Sequence, residues 1–146
     1  MWIVTQQETF IDEDGNHVTN RSYEALNHLR QSGTVQAMDS TTFSPSGFSD
    51  SVEIYIWVRA EFRFDSSADT ITRIDQGHGS RVTLNTTGRN ISLSNSRTYN
   101  SGSGFPIFGR SWSEVTNTVT ATGFAPNQNL SSTRSISVRR NSAGNQ

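Results

Sequence analysis

The chain has 146 residues, a formal net charge of −1 and no cysteine, so we expect one domain without a disulfide framework or a thiol-based site. Valine and isoleucine together outnumber leucine and alanine by 18 to 12, and this excess of β-branched residues excludes an all-α protein. No apolar run approaches the roughly 18 residues that a membrane-spanning helix needs, so we expect no membrane insertion.

The N-terminal third is predicted to hold short strands, a tight turn and one short helix. The strand pieces are Trp2–Val4, Thr9–Ile11 and His17–Thr19. Gly15 supplies the positive φ that the turn Asp12–Asn16 requires. From Ser22 to Gln31 apolar residues recur at every third position, as Tyr23, Leu26 and Leu29. With Gly33 just past its end, this spacing predicts one short helix.

The clearest pattern in the chain runs from Val52 to Phe64, where apolar residues occupy every second position. The apolar members are Val52, Ile54, Ile56, Val58, Ala60, Phe62 and Phe64. A period of two predicts a β-strand with one buried face, because a helical period of 3.6 would scatter these residues around the helix. The strand is long, so we also expect a bulge or bend within it. A turn at Asp65–Asp69 and a returning strand at Thr70–Ile74 complete a hairpin.

Four further strands are predicted in the second half of the chain. They are Ser80–Asn85, Asn90–Ser94, Glu114–Thr122 and Arg134–Arg139. Strands at this short spacing predict a mainly β fold, an antiparallel β-sandwich with a small β-barrel as the alternative. We interpret Asn95–Gly104 as a mobile surface loop because it is rich in Gly and Ser. Residues 1–146 are taken as a single domain that ends in a polar tail at 141–146.

Tyr55 and Trp57 are the leading candidates for a ligand-binding site. They stand two residues apart on the face of the long strand that otherwise carries charged residues, and Arg59 follows on the same face. Aromatic rings beside polar side chains stack on sugars or anchor protein partners. If the helix or another layer covered both rings, they would instead form a second small core. We predict Tyr55, Trp57 and Arg59 as the binding residues of a non-catalytic module for carbohydrate or a protein partner.

A second candidate lies in the segment Asp75–Ser80, which we interpret as a glycine-rich turn after a strand end. Asp75 and His78 could form an acid–base pair there. A carboxylate brought near by folding, such as Glu53 or Glu61, would complete a small hydrolase, and this enzyme is the alternative function. The three histidines of the chain are not spaced as metal ligands, so we expect no metal and no cofactor.

The basic residues bear on partners and location. All 12 are Arg and none is Lys, and Arg keeps its charge in an alkaline medium where Lys begins to lose it. They form no basic stripe that would neutralise phosphates, so we expect no nucleic acid partner. A composition rich in Ser, Thr and Asn, with Met1 directly before Trp2, favours a secreted domain at work outside the cell or on its surface. A structural subunit of a virion or surface assembly is the third function considered.

Overall fold

The computed structural model describes residues 1–25, 33–103 and 110–146, and every regular element in these ranges is a β-strand. The eight strands are β1 (Trp2–Ile11), β2 (His17–Ala25), β3 (Thr34–Ser44), β4 (Val52–Asp65), β5 (Thr70–Asn85), β6 (Ser92–Ser103), β7 (Arg110–Thr122) and β8 (Ser131–Asn141). The prediction of a mainly β, antiparallel fold is therefore confirmed. In the described ranges no helix is long and apolar enough to cross a membrane.

The strands form two antiparallel sheets in which strands adjacent in sequence are also adjacent in space. Strands β1 to β5 make a five-stranded sheet, and β6 to β8 make a three-stranded sheet. The hairpin predicted from Val52 onward is confirmed as β4 and β5. The bulge expected within β4 lies instead in its partner strand, because the register shifts opposite Glu53 and Arg59 leave the extra residues, Thr83 and Gln76, in β5. Gly15 has the positive φ of 81° predicted for the turn between β1 and β2. The residues after β8 form a turn in which the Gly144 N–H donates to the Asn141 carbonyl.

The core lies between the two sheets and follows the period of two in β4. Ile54 and Ile56 are fully buried and pack in one cluster with Val119 and Ala121 of β7. A second cluster continues along β4 and includes Phe62. The three-stranded sheet contacts β3, β4 and β5. Because each buried aliphatic side chain contributes about 1.5–3 kcal/mol, this packing fixes which face of β4 points outward.

The predicted N-terminal helix is wrong over the residues that the structure describes. Ser22–Ala25 belong to β2, where Tyr23 pairs with Met38 of β3, and residues 26–32 lie outside the described ranges. No apolar alternation marks β2, because its inward-facing side chains are mostly polar. Ser22 is buried and donates a hydrogen bond to Asp39. The strand over Ser22–Ala25 therefore could not be recognised from alternation of apolar residues.

Two segments predicted as a turn and a loop are strands instead. Asp75–Ser80 lies inside β5, and residues 95–103 lie inside β6, whereas Gly104 falls outside the described ranges. The whole of β6 pairs with β7, so its ladder forms although its side chains carry almost no apolar signal. No strand is predicted over β3, since Asp39 and Thr41 interrupt the apolar residues on its inward face.

Candidate functional site

Tyr55, Trp57 and Arg59 lie together on the outer face of the five-stranded sheet, as the alternation in β4 requires. All three are half-buried, because side chains from neighbouring strands pack beside them. Together with Trp2, Met38 and Arg81 they line a shallow depression of about 310 Å³. We call these six residues the outer-face site.

The Trp57 side chain lies over Gly77 and Gly79 of β5, which belong to the segment that the sequence predicts as a turn. It pairs with Gly79 across the strands. A Cβ at Gly79 would stand 2.9 Å from the indole Nε1, and a Cβ at Gly77 would stand 3.0 Å from Cη2. These separations are too short for van der Waals contact, so glycine is what leaves room for the indole. The two glycines therefore make room for the Trp57 side chain, and they do not form a flexible loop around His78.

Asn117 of β7 fixes the backbone beneath Trp57. Its side chain is fully buried, and its Nδ2 lies 3.3 Å from the carbonyl oxygen of Trp57 and 3.2 Å from that of Gly79. The same nitrogen lies 3.1 Å from Oδ1 of Asn95. A buried amide is costly unless it is hydrogen-bonded, so these contacts make Asn117 a specific tie between the sheets. The backbone of β4 and β5 beneath the outer-face site is therefore hydrogen-bonded to Asn117 of the opposite sheet.

Tyr55 is held between Ser40 and Arg81. Burial raises the pKa of the Tyr55 hydroxyl and the nearby Tyr23 raises it further, while a hydrogen bond with Ser40 and the charges of Arg81 and Arg21 lower it. The guanidinium carbon of Arg81 lies 4.9 Å from the centroid of the Tyr55 ring, within cation–π range. Tyr55 therefore remains a neutral phenol at ordinary pH, and Arg81 is placed against its ring.

Arg59 is held in a similar way by Trp2. The Arg59 guanidinium carbon lies 5.2 Å from the centroid of the Trp2 ring. Its Nε donates a hydrogen bond of 3.3 Å to Oε1 of Gln76, the extra residue at a register shift in β5. Since Trp2 belongs to β1 and Arg59 to β4, their contact spans the two strands between them. Both cations of the outer-face site thus lie against aromatic rings.

The sequence reasoning missed Trp2, Met38 and Arg81. A signal for Arg81 was present, because it lies within the predicted strand Ser80–Asn85 and pairs with Tyr55 once that strand is aligned with β4. Trp2 and Met38 come from β1 and β3. The period of apolar residues along a strand shows which side chains share a face of the sheet. It does not show which other strands are the neighbours of that strand.

Asp75 and His78 do not form an acid–base pair. The Asp75 carboxylate accepts a hydrogen bond of 3.0 Å from Nε of Arg73, and the His78 side chain has no hydrogen bond or ion pair with any described residue. Both residues face inward on β5, whereas Glu53 and Glu61 stand on the outward face of β4. The sheet itself therefore separates His78 from the carboxylates expected to assist it.

A separate polar cluster lies between β2, β3 and β8. Arg140 is only 1% exposed, and its Nη2 lies 3.4 Å from Oε1 of Glu24. Asp39 accepts a hydrogen bond of 3.1 Å from the Ser22 hydroxyl. Burial raises the pKa of Asp39 to about 6, although the charge of Arg140 and the Ser22 hydrogen bond lower it. Desolvation thus outweighs attraction here, and the cluster makes stability depend on pH.

Among the residues that the structure describes, no group of three or more His, Asp or Glu side chains is placed to hold a metal ion. Comparison of the chain with protein-family models, with curated proteins and with solved structures found no match in any of the three.

Proposed function

We propose that this protein is a non-catalytic binding module that acts outside the cell or on its surface and binds carbohydrate on the outer-face site. The observation that carries the proposal is the position of Trp57. Its indole packs on the backbone of β5, and the guanidiniums of Arg59 and Arg81 lie on either side of it along the strands. We assign the fold to a β-sandwich rather than a small barrel. This is supported by two sheets that pack against each other and share no hydrogen-bonded strand pair within the described ranges.

The chemistry of the outer-face site matches that of a sugar. A sugar ring offers an apolar face and a rim of hydroxyls, which aromatic rings and hydrogen-bonding groups recognise respectively. The depression supplies the rings of Trp57 and Tyr55 and the donors of Arg59 and Arg81. Its volume lies at the lower end of the roughly 300–1,000 Å³ typical of small-ligand sites. The shallow shape suits a length of polysaccharide lying along the sheet.

Binding without catalysis is supported by the side chains present. Glycoside hydrolysis ordinarily needs a pair of carboxyl groups beside the scissile bond. None of the six residues of the outer-face site is Asp, Glu or His. Asp75 is engaged by Arg73, and it faces the opposite side of the sheet.

A protein partner is the second candidate, and the apolar surface beside the site favours it. Val4 of β1 is 52% exposed and pairs with Tyr23. These two side chains extend the apolar surface from the site towards the edge of the sheet. Trp, Tyr, Met and Arg are enriched in protein interfaces. The six residues of the outer-face site have this composition, so protein binding is the outcome to expect if no glycan binds.

Thermal shift with a panel of soluble glycans tests the proposal. The panel comprises cello-oligosaccharides, dextran, oligogalacturonate and dextran sulfate, and the variants are Trp57→Ala and Trp112→Ala. A glycan at a hundred times its Kd stabilises the native state by about 2.7 kcal/mol, which raises Tm by several degrees. We expect Trp57→Ala to abolish the shift, and Trp112→Ala, on the other sheet, to keep it. No shift with any glycan, or equal shifts in wild type and Trp57→Ala, would contradict the proposal.

A further inference from the structure

We infer that the carbohydrate recognised by the outer-face site is acidic, a polysaccharide that carries carboxylate or sulfate groups, and that Arg59 and Arg81 bind those groups. This inference rests on the proposed function and narrows its ligand. It begins from a local excess of positive charge on a chain whose net charge is −1.

The arginines of the outer-face site lack carboxylate partners. Within the described residues, neither Arg59 nor Arg81 forms an ion pair, and the hydrogen bond of Arg59 goes to the neutral amide of Gln76. Arg21, which lies on the same face, likewise donates to a neutral amide, Oε1 of Gln7. By contrast, several arginines elsewhere are paired with carboxylates. These are Arg73 with Asp75, Arg134 with Asp12 and Arg140 with Glu24.

The carboxylates on the same face of β4 are already engaged away from the site. Glu61 lies 3.4 Å from Nη2 of Arg63 and accepts a hydrogen bond from Gln36. Glu53 accepts a hydrogen bond of 2.9 Å from the Thr83 hydroxyl. Neither carboxylate pairs with Arg59 or Arg81, so both guanidiniums beside Trp57 remain available to a ligand that carries negative charge.

The two guanidiniums are also oriented in advance. Each lies against an aromatic ring, Arg59 against Trp2 and Arg81 against Tyr55. A stacked guanidinium loses less rotational freedom when it binds, and its planar fork matches the two oxygens of a carboxylate or sulfate. A neutral sugar hydroxyl has a single oxygen, so it cannot accept both of the parallel hydrogen bonds that a guanidinium offers. The arrangement therefore favours acidic over neutral sugars.

The spacing of the cations favours a polymer with repeated acid groups. Arg59 pairs with Gly77, Trp57 with Gly79 and Tyr55 with Arg81. The two arginines thus lie on either side of Trp57, offset by four residues along the strands, or roughly 13 Å between their backbones. A chain with an acid group on each sugar can place one ring over Trp57 and meet both guanidiniums.

Calorimetric titration with matched acidic and neutral glycans tests the inference. The pairs are oligogalacturonate against cello-oligosaccharide and dextran sulfate against dextran, at low and high salt. The variants are Arg59→Gln, Arg81→Gln and Trp57→Ala, with Arg89→Gln as a control for the same loss of charge on an exposed loop. Circular dichroism melts confirm that each variant folds.

We expect an acidic glycan to bind at least tenfold more tightly than its neutral counterpart, with binding weakened by salt. Arg59→Gln and Arg81→Gln should each weaken it roughly tenfold, and Arg89→Gln by less than twofold. Equal binding of neutral glycans, lost in Trp57→Ala but kept in both site arginine variants, would overturn the inference and leave the proposed function standing. Equal weakening by Arg89→Gln would show diffuse attraction and also overturn it. Binding of no glycan at all would overturn both.

Discussion

Replacement of Asp39 by Asn should remove a pH dependence of stability that the buried cluster creates. The ordinary pKa of an aspartate is 3.8, and burial raises that of Asp39 to about 6 in the native state. A carboxyl group with a raised native pKa binds its proton more tightly when folded. Its stabilising contribution is therefore fully present below pH 3.8 and is lost as the pH rises through 6.

The size of the effect follows from these two pKa values. One pKa unit corresponds to about 1.4 kcal/mol, so the free energy of unfolding should rise by ~3 kcal/mol through Asp39 between pH 7 and pH 3. Between pH 7 and pH 5 alone the gain is ~1.4 kcal/mol. Asn cannot ionise, and its side-chain oxygen can still accept the hydrogen bond from Ser22.

Urea unfolding followed by tryptophan fluorescence at pH 7, 6 and 5 measures this difference. Subtracting the Asp39→Asn profile from the wild-type profile cancels the contribution of every group that the two proteins share. We expect wild type to gain ~1.4 kcal/mol relative to Asp39→Asn over this range. Parallel profiles, or a relative loss by wild type as the pH falls, would show that Arg140 holds Asp39 ionised and would refute the reasoning.

Two further substitutions test the support beneath the outer-face site. Gly79→Ala should displace the Trp57 indole, since the new Cβ would stand 2.9 Å from Nε1. Glycan affinity, measured by calorimetric titration, should then fall at least tenfold. The control Gly88→Ala should leave glycan affinity unchanged, because it lies in a loop where nothing is within 4 Å of the added Cβ. Asn117→Ala should lower the free energy of unfolding by about 1–3 kcal/mol, because it removes the hydrogen bonds to the backbone of β4 and β5. Urea unfolding checks this value, and a loss below about 0.5 kcal/mol would mean that Asn117 is not a tie between the sheets.

The sequence was informative where one face of a strand is apolar and the other polar. In β4 this contrast is complete, so the buried aliphatic face and the outward placement of Tyr55, Trp57 and Arg59 could both be predicted. In β2 the inward residues include the buried Ser22, which serves the polar cluster around Asp39. The sequence of β2 therefore shows no alternation of apolar and polar residues, although these residues form a strand.

The rest of the site depends on register between strands, which a single sequence does not display. The glycines Gly77 and Gly79 look like turn residues when read along the chain. Their role becomes visible only when β5 is aligned with β4 and both fall beside Trp57. For the same reason the contact between Arg59 and Trp2, which joins β4 to β1, could not be anticipated from spacing.

Amide and indole N–H shifts during an NMR titration with oligogalacturonate test the central claim most directly. The chain has three tryptophans, of which Trp2 and Trp57 belong to the outer-face site, while Trp112 stacks against Arg139 on the three-stranded sheet. We predict that the indole signals of Trp2 and Trp57 move to saturation while that of Trp112 stays in place. Movement of the Trp112 signal alone, or saturation without any change at Trp57, would contradict the assignment of the outer face as the binding surface.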